Sequence, residues 1–183
     1  NTTPEFSLNE KTVYSDVGLI ALGRLIEKVT DQKLNELMDS LLFEPMGMSS
    51  TFFNPPIEKI KRIIPTEISP LTNKAILGYV HDENAYSIGG IAGHAGLFST
   101  ALDIARFSQM MLNKGLYGWK RIFKKETIDL FTSRANLVSG SSRALGWDTP
   151  AGKSSGGVFL SESSFGHTGF TGTSLWIDPE NQL

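Results

Sequence analysis

The residues best suited to chemistry lie in one short stretch, Phe165-Gly166-His167-Thr168-Gly169-Phe170-Thr171-Gly172. Its three glycines carry no Cβ, so another backbone or a ligand can approach closely. His167, Thr168 and Thr171 add an imidazole and two hydroxyls. Such a segment can present backbone N–H groups and a short polar fringe to a substrate. Taken alone it also reads as a Gly-rich turn before the strand-like run Thr173–Asp178.

Other chemistry-bearing patterns are weaker. The three histidines are His81, His94 and His167, with no His-Glu-x-x-His and no cysteine among the 183 residues, so no zinc signature is present. His81-Asp82-Glu83 could offer ligands, but adjacent side chains point apart in most backbones. A hydrogen-bonded cluster is expected there, with no metal and no other cofactor. His94 sits in Gly89-Gly90-Ile91-Ala92-Gly93-His94-Ala95-Gly96. That block lacks the Gly-Lys-Ser/Thr ending of a phosphate loop. No Gly-x-Ser-x-Gly nucleophile elbow occurs.

The elements that must position these residues belong to a chain long enough to bury a core in one domain or in two lobes. Hydrophobic residues at 40% and charged residues at 20% are ordinary for a globular protein. The net charge of -2 includes no basic stripe, which argues against a nucleic-acid partner. Apolar runs are too short to span a bilayer. Absence of cysteine excludes disulfides, thiolate ligands and a cysteine nucleophile. The chain opens on Asn1-Thr2-Thr3-Pro4 without a Met and closes on the turn signal Asp178-Pro179-Glu180-Asn181-Gln182-Leu183. These ends lead us to expect a piece of a longer protein, with unpaired sheet edges through which it could dimerise.

Periodicity places a first helix after Tyr14-Ser15-Asp16, with Leu19, Leu22, Leu25, Ile26 and Val29 on its inner side. Ser15 or Asp16 is expected to supply the N-cap oxygen. A second helix runs from Leu34 with Leu37, Met38, Leu41 and Leu42 inward, stopped at Pro45. Thr51-Phe52-Phe53 reads as extended, and Pro55-Pro56 as the opening of a short helix to Ile63. Residues 64–98 read as long structured loops. Ser99 or Thr100 caps a third helix with Ile104, Phe107, Met111 and Leu112 inward and Gly115 as its stop. A fourth lies around Lys124–Phe131. Leu145-Gly146-Trp147 and Val158-Phe159-Leu160 are strand candidates around a Gly/Ser-rich hairpin or loop at 152–157, and Trp147 and Trp176 are expected in the core. Helices first and strands later give an α+β chain.

Four blocks in order, Tyr14-x-Asp16, Glu44-Pro45-Met46-Gly47-Met48, Gly93-His94-Ala95-Gly96-Leu97-Phe98-Ser99-Thr100-Ala101 and His167-Thr168-Gly169, carry a resemblance over nearly the whole chain. The sequence resembles the serine β-lactamase and penicillin-binding-protein superfamily, in its class C-like branch. Val80-His81-Asp82-Glu83-Asn84-Ala85 before the Gly-His-Ala-Gly block is similar to a cell-wall-turnover subgroup, whose members include muropeptide amidases and glycosidase fusions. The resemblance implies a β-lactamase/transpeptidase-like fold, present here in part. About 14–135 would be mainly helical lobe with loops and about 143–183 strands of the antiparallel sheet, with a cleft between lobe and sheet. It favours a periplasmic or other extracytoplasmic bacterial location.

The resemblance also implies the site. The family uses a Ser-x-x-Lys turn for the nucleophile and its activating lysine, a Tyr-x-Asn element whose phenol assists as base, and a Lys-Thr-Gly-like strand that closes the oxyanion hole. Tyr14 matches the tyrosine, Asp16 stands at the Asn position, and His167-Thr168-Gly169 match the third element. The Phe170 N–H would be an oxyanion donor, while Asp16, Thr168 and Gly169 would meet substrate. Two departures matter. An ionised Asp16 accepts where Asn can also donate. His167 in place of Lys makes a positive charge conditional, which favours an esterase, peptidase or amidase over a β-lactamase.

No serine of the chain has a lysine three positions on; Thr30-Asp31-Gln32-Lys33 alone has that spacing. The expectation is therefore a serine hydrolase forming an acyl-enzyme on an amide or ester, a small-molecule, peptide or muropeptide substrate, with the nucleophile upstream and this chain inert by itself. The competing readings are a catalytically dead binding module and, third, a metal-dependent hydrolase.

Overall fold

A computed structural model describes residues 3, 5–151 and 154–183. Residues 152 and 153 of the expected loop, and residues 1, 2 and 4 of the polar opening, lie outside the described residues. The chain divides into two compact units, residues 15–107 and residues 1–14 with 108–183.

The unit of residues 15–107 begins with α1 (Asp16–Thr30). Ser15 occupies the N-cap position with extended backbone, but its side chain makes no cap bond, and Asp16 is already the first helical residue. The expected cap oxygen is thus not used. The inward stripe of α1 runs through half-buried Leu19, Ile20, Ile26 and Glu27 and buried Gly23, a step of three and four. Leu22, Leu25 and Val29 are exposed, contrary to expectation. The reason is that the unit packs the small face of α1. A Cβ on Gly93 would lie 2.3 Å from the Leu19 carbonyl oxygen, and one on Gly23 only 3.3 Å from the Gly93 nitrogen. Backbone meets backbone there.

α2 (Leu34–Met38) passes into a π-helical turn over Asp39–Phe43. That widened turn buries Leu42 and Phe43 and leaves Leu41 on the surface. β1 (Phe52–Phe53) pairs antiparallel with β2 (Leu97–Phe98), bracketing a 3-10 helix at Ile57–Arg62 and α3 (Glu83–Ser87). Asp103, buried in α4 (Ala101–Leu112), accepts from Ser50 N–H at 2.8 Å and the Thr51 hydroxyl at 3.0 Å. It therefore ties the turn before β1 to the helix.

In the other unit Gly115, at φ +88°, ends α4 by donating to the Met110 carbonyl. A hairpin of β3 (Leu116–Tyr117) and β4 (Lys120–Arg121) leads to α5 (Lys125–Thr132). The longest ladder is β5 (Phe165–Thr168) against β6 (Ser174–Ile177), antiparallel, with Phe165 opposite Ile177 and Thr168 opposite Ser174. The Gly-rich stretch is thus the end of one strand and the loop of a hairpin.

Leu145-Gly146-Trp147 is a turn rather than a strand. The extended contacts lie beside it, where Asp148 bridges Gly166 on one side and Arg143 on the other. Val158-Phe159-Leu160 forms no strand, and Val158 and Phe159 are exposed. Trp147 and Trp176 are half-buried rather than fully core. Trp147 packs edge-on against buried Phe165 at 5.2 Å.

Trp176 crosses Gly166, where a Cβ would fall 2.4 Å from both the indole ring and the Leu175 carbonyl oxygen. Gly166→Ala must push the strand or the indole aside. We expect it to destabilise this unit by about 3 kcal/mol, read as a lowered denaturation midpoint by tryptophan fluorescence.

Candidate functional site

Three residues from separate stretches converge in the unit of residues 1–14 and 108–183. Burial falls along β5 from Phe165 to Thr168, so His167 stands where the strand leaves the core. Arg143, placed across Asp148 from β5 by the two bridges, brings its Nη1 to 3.0 Å from His167 Nε2. Tyr14 lies with its ring centroid 6.0 Å from that of His167 and 5.5 Å from the Arg143 guanidinium carbon. This is cation–π range. The arm carrying Tyr14 is held near Arg143 through the Thr12 hydroxyl, which donates to Ser141 Oγ at 3.1 Å, while the Arg143 N–H also donates to Ser141 Oγ.

The chemistry of this trio follows from who can donate. Guanidinium nitrogens only donate, so His167 Nε2 accepts from Arg143. Nδ1, 2.7 Å from the Thr168 carbonyl oxygen, is then the protonated nitrogen. The ring is fixed as one neutral tautomer, and the permanent positive charge beside it belongs to Arg143. Sequence reasoning did not find Arg143. The conditional charge at His167 was the signal that a fixed cation should be sought nearby, but no spacing rule picks out which one.

Thr168 is exposed at the strand end, and Gly169 opens the hairpin loop, its N–H donating to the Thr173 carbonyl at 2.7 Å. Phe170 follows in that loop with an exposed side chain.

Asp16 belongs to the other unit and has different company. One polar atom from each of Asp16, Asp82 and His94 lies within 4.8 Å of the other two. His94 Nε2 is 2.8 Å from Asp82 Oδ1, which also accepts the Ala85 N–H at 2.7 Å as the N-cap of α3. Burial pushes the Asp82 carboxyl up, but the Ala85 N–H and His94 outweigh it and leave it below the usual carboxylate range. His81 instead pairs with Glu67 at 3.0 Å, so the His81-Asp82 neighbours do point apart. Among the described residues, Asp16, Asp82 and His94 are the group that could hold a metal ion.

The fold and these motifs have counterparts in known proteins. A family model described as Beta-lactamase matches residues 1–183, and the chain belongs to that family. The Escherichia coli (strain K12) protein named "Putative D-alanyl-D-alanine carboxypeptidase" is 37% identical over 199 residues, covering 100% of this chain and 45% of that protein. A Salmonella agona (strain SL483) protein of the same name is also 37% identical, with 100% and 46% covered. The chain thus spans about half the length of the curated relatives it matches.

Among solved structures, the octameric penicillin-binding protein homologue from Pyrococcus abyssi superposes with TM-score 0.66 at 22% identity. The match covers 95% of this chain and 37% of that one. The β-lactamase/D-alanine carboxypeptidase from Pseudomonas syringae gives 0.61 at 20% identity, covering 81% and 38%. At these identities the structures establish the shared fold, with helices and small antiparallel sheets as expected. No described helix is long and apolar enough to cross a membrane.

Proposed function

We propose that this chain is part of a serine hydrolase that forms an acyl-enzyme on a cell-wall peptide and releases a C-terminal D-alanine. The observation that carries the reading is the convergence of Tyr14, Arg143 and His167 at the end of β5. Tyr14 brings a phenol into the company of Arg143 and His167, a group of the type that passes protons in catalysis. A fixed cation beside the His-Thr-Gly strand suits a substrate ending in a free carboxylate. The names of the relatives agree with such a substrate. Tyr14, His167 and the Phe170 N–H act in catalysis, the last as oxyanion donor, and Thr168, Gly169 and Arg143 hold substrate; for Asp16, in the other unit, a substrate role rests on the sequence resemblance alone. A metal plays no part in this reading.

The test is to express the chain with its upstream coding sequence and treat it with a fluorophosphonate or a penicillin. A covalent adduct of one probe per chain is expected by mass spectrometry; absence of any adduct refutes the reading. This chain alone should stay unlabelled, because no serine in it has a lysine three positions on. That same observation favours the second reading, an inactive binding module, which an intact upstream Ser-x-x-Lys would remove.

Arg143 adds a sharper expectation. Arg143→Ala should lower kcat/KM for a peptide with a free C-terminal carboxylate about 10- to 150-fold, the worth of a charged hydrogen bond. The same peptide as a C-terminal amide should be hydrolysed nearly as well by the variant as by the parent. Equal losses on both peptides would assign Arg143 a purely structural role.

A further inference from the structure

We propose that His94 is a positioning residue for Asp16: anchored by Asp82, its ring fixes the orientation of the Asp16 carboxylate. Residues 88–97 bring no ionisable side chain except the imidazole of His94. Yet this loop holds three glycines at positive φ, Gly89, Gly90 and Gly96, and presses Gly93 onto the backbone of α1. That approach leaves no room for a side chain at Gly93 and little at Gly23. The residue it delivers, directly after Gly93, is His94.

The ring of His94 is 3% exposed. Its Nε2–H donates to Asp82 Oδ1, while Nδ1 is buried without a hydrogen-bond partner. A purely structural buried histidine usually satisfies both nitrogens. This one spends its single hydrogen bond on the Asp82 carboxylate, with an Asp16 oxygen within 4.8 Å of both. The charged groups facing it are Asp82 from the head of α3 and Asp16 from the first turn of α1. Two carboxylates within 4.8 Å of one another repel, and the His94 Nε2–H bond holds the Asp82 carboxylate in place against that repulsion. Asp16 has no cap oxygen from Ser15 beside it to compete for the helix N–H groups. Its rotamer is therefore set by α1 on one side and by the His94–Asp82 pair on the other. Asp82→His94→Asp16 is the same order of support seen when a second shell orients a functional group.

The role of Asp16 toward substrate rests on the function proposed above; the coupling of His94 to Asp16 does not. NMR on this chain separates the two. Long-range proton–nitrogen spectra should show His94 in the Nε2–H form, and Asp16→Asn should move its ring nitrogen resonances well beyond the linewidth. Unchanged His94 resonances in Asp16→Asn would overturn the proposal whatever the enzyme does. So would stoichiometric zinc bound at the cluster and lost in His94→Gln, since the ring would then be a ligand.

In the upstream-extended protein a double-mutant cycle gives the functional reading. His94→Ala should lower kcat about tenfold with Asp16 present and less than about threefold once Asp16 is Asn. His94→Gln, whose amide can still donate to Asp82, should recover part of the loss. Losses that simply multiply would overturn the proposal. If that protein turns over no acyl substrate, the function fails and the NMR result alone decides the coupling.

Discussion

Asp178→Asn lowers the stability of its unit by about 3–5 kcal/mol, the usual consequence of removing one member of a buried ionic hydrogen-bond cluster. Asp178 is 1% exposed at the end of β6. Its carboxylate accepts from five donors: Ser161 N–H and Oγ, the N–H groups of Glu180 and Asn181, and Asn181 Nδ2. An asparagine there turns one acceptor into a donor facing donors. Burial by itself would raise this carboxyl, but the Ser161 and Asn181 donors prevail and hold it far below the usual carboxylate range.

The sign of the pH dependence follows. A depressed folded-state pKa contributes stability that is present above the unfolded value, about 3.9 for aspartate. That contribution is lost as pH falls below it toward the folded-state value. Guanidinium unfolding should therefore show the full gap between parent and variant at pH 7 and a clearly smaller gap at pH 2.5. A gap independent of pH would mean that the carboxylate charge contributes nothing.

Tyr14→Phe carries the second large effect, on catalysis. The substitution keeps the ring, so the contact with Arg143 and His167 survives and folding should be unaltered. What disappears is the phenolic oxygen. If Tyr14 passes the proton in acylation, kcat/KM in the upstream-extended protein falls a hundred- to ten-thousand-fold, the range for a general base. An unchanged denaturation midpoint must accompany that loss. A variant retaining more than about a tenth of parental activity would move the proton-transfer role elsewhere.

Much of the scaffold was readable from residue pattern because it rests on local rules. α1, α4 and α5 follow 3.6-residue periodicity, Thr100 caps α4 through the Asp103 N–H at 3.3 Å, and Gly115 ends it. The eight-residue Gly-rich stretch forms the end of β5 and the hairpin loop before β6. What escaped depends on tertiary choice. α1 has a large apolar face and a small one, and periodicity cannot say which meets the unit; the glycine contact with Gly93 chose the small one. Val158-Phe159-Leu160 has strand-forming residues but no ladder partner. Arg143 owes its place to single bridges flanking a turn, a geometry without a sequence period. His94 and Asp82 were visible as residues, but their meeting with Asp16 depends on the backbone approach of Gly93 to α1.

The Tyr14 arm carries a kinetic consequence. Thr12 and Ser141 touch across 129 residues of sequence, while Arg143 and His167 are only 24 apart. Closing the shorter loop costs less chain entropy, so the hairpin and Arg143 can assemble first and the arm must dock last. The contact made last is held by one hydroxyl pair and one exposed ring, which places it at the weak end of the unit's local stabilities. Hydrogen exchange at residues 12–14 should therefore run ahead of exchange in β5 and β6.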